Sequence, residues 1–270
     1  MSSSNQIPIF VISLSDASER RNSIRNKLDK LKLDYQIIDA VDGRKHDFRE
    51  SHKDVIDEEW YKKRKGDPLK ASEIACSLSH INIYLQMSKN DIKEAIVLED
   101  DAIPVDDFSK FAKKEMPESA YCNITILHIY NQQYAIRKRI VLDNIYSLYT
   151  PYQRFLGACG YYIKLSAAEH LYNKALPVWS TSDWPIAIEK VFDAKGIEPP
   201  LVNQSNDFDS QIQTYKSRSI PMHVLLGRLF LIPTIIYPSY FGSRWKSLYA
   251  WQAVVRRIKV KFFARKPSSN

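Results

Sequence analysis

Two hydrophobic rhythms alternate along the chain. The run IPIFVISL (7–14) is continuously apolar and predicts a first strand. In SDASERRNSIRNKLDKLKL, Ile24, Leu28 and Leu31 recur at helical spacing, with Asp16 as expected cap and Glu19 three residues on, as in a capping box. LDYQIIDAVDG predicts a second strand ending at Asp39, then a turn at Asp42-Gly43. A strand–helix–strand opening is the signature of a parallel sheet with crossover helices. Residues 45–68 are highly charged with few apolar anchors and predict an irregular or mobile connection. Residues 71–90 predict a helix with a buried stripe of Ile74, Leu78, Ile81 and Leu85 and a polar stripe of Glu73, Ser77, His80 and Tyr84.

The rhythm then returns to strands. EAIVL (94–98) and NITILHIY (123–130) are two, and IRKRIVLDNIYSLYT predicts a hairpin turning at Asp143-Asn144. FLGACGYYIKL predicts a strand containing two glycines, followed by the helix SAAEHLYNKAL. DWPIAIEKVFDAKG predicts a short helix closed by Gly196.

Composition adds one asymmetry. At 270 residues, 44% hydrophobic and 26% charged, the chain has the make-up of a soluble protein able to bury a real core. Its three cysteines are far apart and form no CxxC, which points to reduced thiols in the cytoplasm. The first apolar run is too short for a signal peptide. The net charge is +8, yet residues 216–270 hold eleven Lys and Arg and no Asp or Glu, so the other 215 residues are net acidic at −3. Residues 220–242 are apolar but broken by His223, Arg228 and prolines, short of the ~20 clean apolar residues of a span. Beyond them Leu248, Trp251, Val255, Ile258 and Phe262 recur at helical spacing opposite Lys246, Arg257 and Lys261. This is a basic amphipathic helix suited to an anionic membrane surface, the alternative being a helix packed on the domain. Nucleic acid is disfavoured, because the positive charge is segregated and no binding motif appears.

The candidate chemistry lies in EAIVLEDDAIP, where an apolar strand runs into Glu99-Asp100-Asp101. The carboxyl end of a parallel strand is where open α/β sheets bind ligands. Three adjacent anions raise one another's pKa unless a cation sits among them, and Mg²⁺ or Mn²⁺ prefers such oxygen ligands together with phosphate. The competing reading is a solvated acidic turn. In extended chain Glu99 and Asp101 share a side, opposite Asp100.

VISLSDASERR, DAVDG, SEIACSLSHINIY, AIVLEDDA and FLGACGYYIKLSAAEHL, in this order, resemble glycosyltransferase family 25, over about residues 7–205. The resemblance implies an α/β fold of GT-A type, a Rossmann-like mixed sheet flanked by helices, which is expected to occupy residues 1–215; the charge pattern sets residues 216–270 apart as a basic amphipathic tail. It implies a UDP-sugar donor, galactose or glucose, inversion at the anomeric carbon, and a divalent metal (Mn²⁺ or Mg²⁺) at an Asp-x-Asp-type motif, matched here by Glu99 and Asp101 as metal ligands with Asp100 between. A departure is Lys70-Ala71-Ser72-Glu73 where the family commonly has Thr-Pro-Gly-Glu, leaving Ser72 to cap the helix.

Position and resemblance together select the donor-site candidates. Ser13, Leu14, Arg20 and Arg21 follow the first strand, where an arginine pairs with phosphate or stacks on uracil, unless it is merely an exposed helix residue. Asp39, Ala40 and Gly43 end the second, where an acidic residue holds ribose hydroxyls, unless it only serves the turn. Ser79 and His80 match the family's Ser-His pair; the alternative is a structural histidine. Gly157 and Gly160 mark either a close approach to the sugar or a β-bulge.

Inverting transfer needs one general base. Asp183 is the first candidate, with Trp184 beside it to stack on the sugar; its alternative role is to cap a helix at Pro185. Asp207 and Asp209 are weaker candidates. The sequence thus predicts a hexosyltransferase, galactose the expected hexose, acting on a lipid-linked oligosaccharide of a lipooligosaccharide or lipopolysaccharide core from the cytoplasmic face of the inner membrane. A catalytically inactive nucleotide-sugar or glycan binder and a nucleotidyltransferase remain as alternatives.

Overall fold

The computed structural model describes residues 6–129, 136–152, 154–181 and 184–205, all within the compact unit Met1–Ile212. Asp183, Asp207, Asp209 and the basic tail lie outside the described residues.

In chain order the elements are β1 (Ile9–Ser13), α1 (Ser18–Lys30), β2 (Gln36–Asp39), α2 (Phe48–Ser51), α3 (Glu58–Lys65), α4 (Ala71–Lys89), β3 (Glu94–Glu99), β4 (Ala102–Pro104) and α5 (Phe108–Ala112). Then come β5 (Ile124–Ile126), β6 (Ile136–Val141), β7 (Ser147–Pro151), β8 (Gly160–Lys164), α6 (Leu165–Ala175), α7 (Ile188–Val191), β9 (Ala194–Glu198) and β10 (Val202–Gln204). Eight strands form one mixed sheet in the order β2-β1-β3-β8-β5-β9-β7-β6, and β4 pairs with β10 separately. This is the mixed α/β architecture that the pattern predicts.

The parallel core is β2-β1-β3, with β1 in the middle. Its five residues are all buried, so both faces need cover. Ile9 and Val11 face Ile24 and Leu28 of α1, in a cluster with Phe108 and Phe111 of α5. Phe10 and Ile12 face Ile83, Tyr84 and Met87 of α4, in a cluster with Ala167 and Leu171 of α6. Alternation along one strand therefore sends α1 and α4 to opposite faces. The chain leaves β1 for β2 on one side and returns to β3 on the other, which makes the carboxyl end of β1 a topological switch point. The register sets Ser13 level with Asp39, and Ile12 level with Glu99.

Several local expectations change. The charged stretch 45–68 contains α2 and α3, because Phe48, Tyr61 and Leu69 cover the outer face of α4 at Ile74, Leu78 and Ile81. That cover, plus the sheet on the other side, buries the polar stripe of α4 too: Ser77, His80 and Tyr84 are all buried, while Leu85 is only half-buried. Asp16 does not cap α1, whose N-cap is Ala17; Asp16 pairs with Arg44 instead. Ser72 does not cap α4 either, since the helix begins at Ala71 and the Lys70 N–H donates to Glu73 Oε2 at 2.8 Å.

The strand expected over 155–165 begins only at Gly160. Gly157 precedes it with φ +79°, a left-handed conformation that breaks extended chain and favours glycine. Gly196 closes no helix but sits inside β9, where an added Cβ would collide with the Tyr149 ring of neighbouring β7. The hairpin at Asp143-Asn144 forms as β6–β7, with Asp143 Oδ1 accepting the N–H groups of Ile145 and Tyr146 at 2.8 and 2.7 Å.

Candidate functional site

The carboxyl ends of β1, β2 and β3 open into a cleft of about 250 Å³. Glu99, Asp100 and Asp101 line it together with Ser13, Leu14, Arg20, Ala40, Gly43 and Ser79. Nine of the residues singled out from sequence therefore share one concavity.

The acidic triad does not act as a single block. Strand β3 ends at Glu99 and the chain turns through Asp100 and Asp101 into β4, so the three carboxylates meet different partners. Asp100 accepts from Ser13 Oγ at 2.7 Å and pairs with Arg20 Nη1 at 3.0 Å. Asp101 accepts from Gln204 Nε2 at 2.9 Å and from the Cys159 thiol at 3.4 Å, with Arg20 Nη2 at 3.9 Å. Glu99 Oε1 lies 3.2 Å from His80 Nε2 and 3.8 Å from Cys76 Sγ. Much of the offset to their repulsion thus comes from the protein's own Arg20 and His80.

That offset is uneven. Burial pushes Glu99 up, but the hydrogen bond and charge of His80 outweigh it and hold the carboxyl below its ordinary value. Burial raises Asp100 despite Ser13 and Arg20. Burial and the charge of Glu99 raise Asp101. Glu99, Asp100 and Asp101 all line the cleft wall with carboxylate oxygens, the donor type that a hard divalent cation prefers.

The two loops beside the triad are held by arginines. Arg21 donates to the carbonyls of Leu14 (2.8 Å) and Ser13 (2.9 Å) and pairs with Asp39. Asp39 is thereby engaged by Arg21 beside the cleft, and its neighbour Asp42 lines the wall. Arg44 bridges Asp42 after β2 and Asp16 after β1. Its hydrogen bonds depress Asp42 to about 2. Ser79 Oγ accepts the Val41 N–H at 2.9 Å and donates to the Ala75 carbonyl at 2.8 Å, tying the β2 loop to α4. Gly43 is small for a packing reason, since a Cβ there would come within 2.6 Å of the Ala71 carbonyl oxygen.

Other candidates stand away from the wall. His80 is buried, with Nδ1 2.9 Å from Tyr161 Oη, and Glu73 takes no part. Gly160 packs against Val202 of β10, and the Gly157 carbonyl accepts from Trp184 Nε1 at 3.1 Å. Trp184 presents no face for a sugar: it is 2% exposed, its ring edge-on to Tyr161. Sequence reasoning missed Cys76, Arg44, Tyr161 and Gln204. Cys76 was detectable, four residues before His80 on the same helix face. Gln204 carried no signal, because the pairing of β10 with β4 brings it to Asp101.

The model of a family described as glycosyltransferase family 25 (LPS biosynthesis protein) matches residues 6–186. Procollagen galactosyltransferase 1-A of Xenopus laevis is 30% identical over 95 residues, 34% of this chain and 16% of the relative. Procollagen galactosyltransferase 2 of Homo sapiens is 25% identical over 185 residues, 63% of this chain and 29% of the relative. A mouse relative named inactive glycosyltransferase 25 family member 3 is 28% identical over 120 residues, 41% of this chain and 19% of the relative. The chain spans only a minor part of the length of these curated relatives.

Proposed function

The chain belongs to glycosyltransferase family 25, and from that premise we propose that it transfers a hexose, galactose first among the candidates, from a UDP-sugar to a lipid-linked glycan with inversion. The observation that carries the proposal is the convergence of Glu99, Asp100, Asp101, Ser13 and Arg20 at the switch point of the sheet. Open α/β sheets bind their ligands at such a switch point, and the carboxylates, Ser13 and Arg20 of this cleft supply polar contacts for a nucleotide diphosphate and its cation.

In this reading Arg20, which already faces two carboxylates, is within reach of a diphosphate between them and offers it a fork of N–H donors. Ser13 fixes the Asp100 carboxylate, and Gln204 fixes that of Asp101. Asp101 and Glu99 are the residues proposed to hold a Mn²⁺ or Mg²⁺ ion, which when bound neutralises the departing diphosphate. An aspartate, Asp183 by its sequence position, takes the proton of the acceptor hydroxyl as that oxygen attacks the anomeric carbon. The basic tail is proposed to keep the enzyme on the cytoplasmic face of an anionic membrane, where a lipid-linked acceptor is presented.

Donor turnover tests the proposal. Thermal shifts against UDP-galactose, UDP-glucose and UDP-N-acetylhexosamines, with and without Mn²⁺, select the donor, and release of UDP with an acceptor glycan measures transfer. Asp101→Ala is expected to abolish release while leaving the circular dichroism spectrum unchanged; activity near wild type refutes the assignment. The existence of a relative named inactive favours one second reading, a nucleotide-sugar binder without turnover. Donor binding with neither transfer nor slow hydrolysis selects it. Sedimentation with anionic vesicles tests the tail, and binding unchanged after deletion of residues 243–270 rejects its role.

A further inference from the structure

We propose that Cys76, His80 and Glu99 form a second cation site, which takes a thiophilic divalent ion of the zinc class. Cys76 and His80 lie four residues apart on α4, so their side chains stack on one face. Glu99 meets them from the end of β3. The three ligand atoms all lie within 4.8 Å of one another, with His80 Nε2 and Cys76 Sγ at 3.2 and 3.8 Å from the same Glu99 oxygen. A tetrahedral zinc ion with ordinary bonds to sulfur, nitrogen and oxygen sets its ligand atoms about 3.3–3.6 Å apart. The cluster therefore needs only small side-chain adjustments to close on an ion.

Three further features suit a metal. His80 is held from behind by Tyr161 Oη at its Nδ1, the arrangement that orients metal-bound imidazoles, and its Nε2 already points at Glu99. Cys76 is in no disulfide, and both it and Glu99 line the cleft, which supplies an entry path and room for a water ligand. A thiolate and a carboxylate together balance the charge of a divalent ion. On binding, the Cys76 S–H bond breaks and the proton on His80 Nε2 that faces Glu99 is released; sulfur–metal and nitrogen–metal bonds form in their place, and both protons leave to solvent.

Sulfur and imidazole separate this site from the proposed oxygen-ligated cation at Asp101. Glu99 is common to both. Filling the thiolate site therefore withdraws one carboxylate from the donor cleft, which makes the zinc-class ion a competitor of the hard one. The site itself stands on its geometry and does not require that glycosyl transfer occur.

The test uses the full chain, stripped with a chelator and titrated with Co²⁺. The expected result is a thiolate-to-cobalt charge-transfer band that saturates at one equivalent, persists in Cys122→Ser and is absent in Cys76→Ser. No band in the wild type overturns the proposal. So does a full band in Cys76→Ser, which would assign the thiolate to Cys159 beside Asp101. Should Cys76→Ser fail to fold, alkylation of wild-type Cys76 is followed by peptide mass spectrometry. A Zn²⁺ concentration about ten times its Kd leaves about one thiol in eleven free, so alkylation is expected to slow about elevenfold. An unchanged rate overturns the proposal. Neither readout involves a donor sugar, so failure here and failure of the transferase reading are separable.

Discussion

Replacing Arg20 with Met removes the guanidinium that faces Asp100 and Asp101 while keeping most of the apolar stem. The Arg20 side chain is 17% exposed and its partners 9% and 14%, at 3.0 and 3.9 Å. With an effective dielectric constant of 20 the two attractions have a Coulombic ceiling of about 5.5 and about 4 kcal/mol. Desolvation of the guanidinium cancels much of this, and breaking a buried pair costs about 3–5 kcal/mol. Partial exposure of all three groups lowers the expected loss to about 2–3 kcal/mol at pH 7.5. The sign of the pH dependence follows from the carboxyls. Asp100 and Asp101 are already raised in the folded protein, and loss of Arg20 raises them further. A carboxyl raised on folding costs stability while ionised, and that cost is relieved as pH falls through its folded pKa. The mutant's deficit should therefore shrink at pH 5, and Mn²⁺ should shrink it at pH 7.5. Urea unfolding at both pH values, with and without Mn²⁺, gives the midpoints. A loss under about 0.5 kcal/mol at pH 7.5, the range of an ordinary surface substitution, refutes the argument. So does a deficit of equal size at both pH values.

Gly196→Ala should destabilise by about 1–3 kcal/mol, read by chemical denaturation, because its Cβ meets the Tyr149 ring in a close-packed sheet face. Tyr161→Phe removes the hydroxyl within hydrogen-bond reach of both His80 and Tyr84; an expected loss of about 1–3 kcal/mol, measured the same way, reflects a buried polar group left unsatisfied. In Arg44→Ala the Asp42 carboxyl should titrate near the ordinary value of about 3.9 instead of about 2, as followed by carboxyl NMR. The wild-type contribution of that contact is present above the unfolded value and lost as pH falls through about 2, so the mutant should show less acid sensitivity in that window.

The sequence by itself determined β1, α1, β2, α4 and β3 and the edge at which the three strands end. Ile24 and Leu28, or Phe10 and Ile12, announce their buried faces through local periodicity, and β3 announces the site because a buried strand runs into carboxylates. Periodicity of this kind needs no distant partner. It failed where a residue's role depends on one. Phe48 and Tyr61, the anchors within 45–68, matter only because α4 needs an outer cover, and Gly196 reads as a helix stop until Tyr149 lies against it. Asp16 resembles a cap until Arg44 comes within reach. Only the tertiary structure decided which partner each of Glu99, Asp100 and Asp101 receives. Those partners, Arg20 of α1, Gln204 of β10, and His80 and Cys76 of α4, come from three separate elements, and the strength of an electrostatic contact follows distance in space, which separation along the chain does not encode.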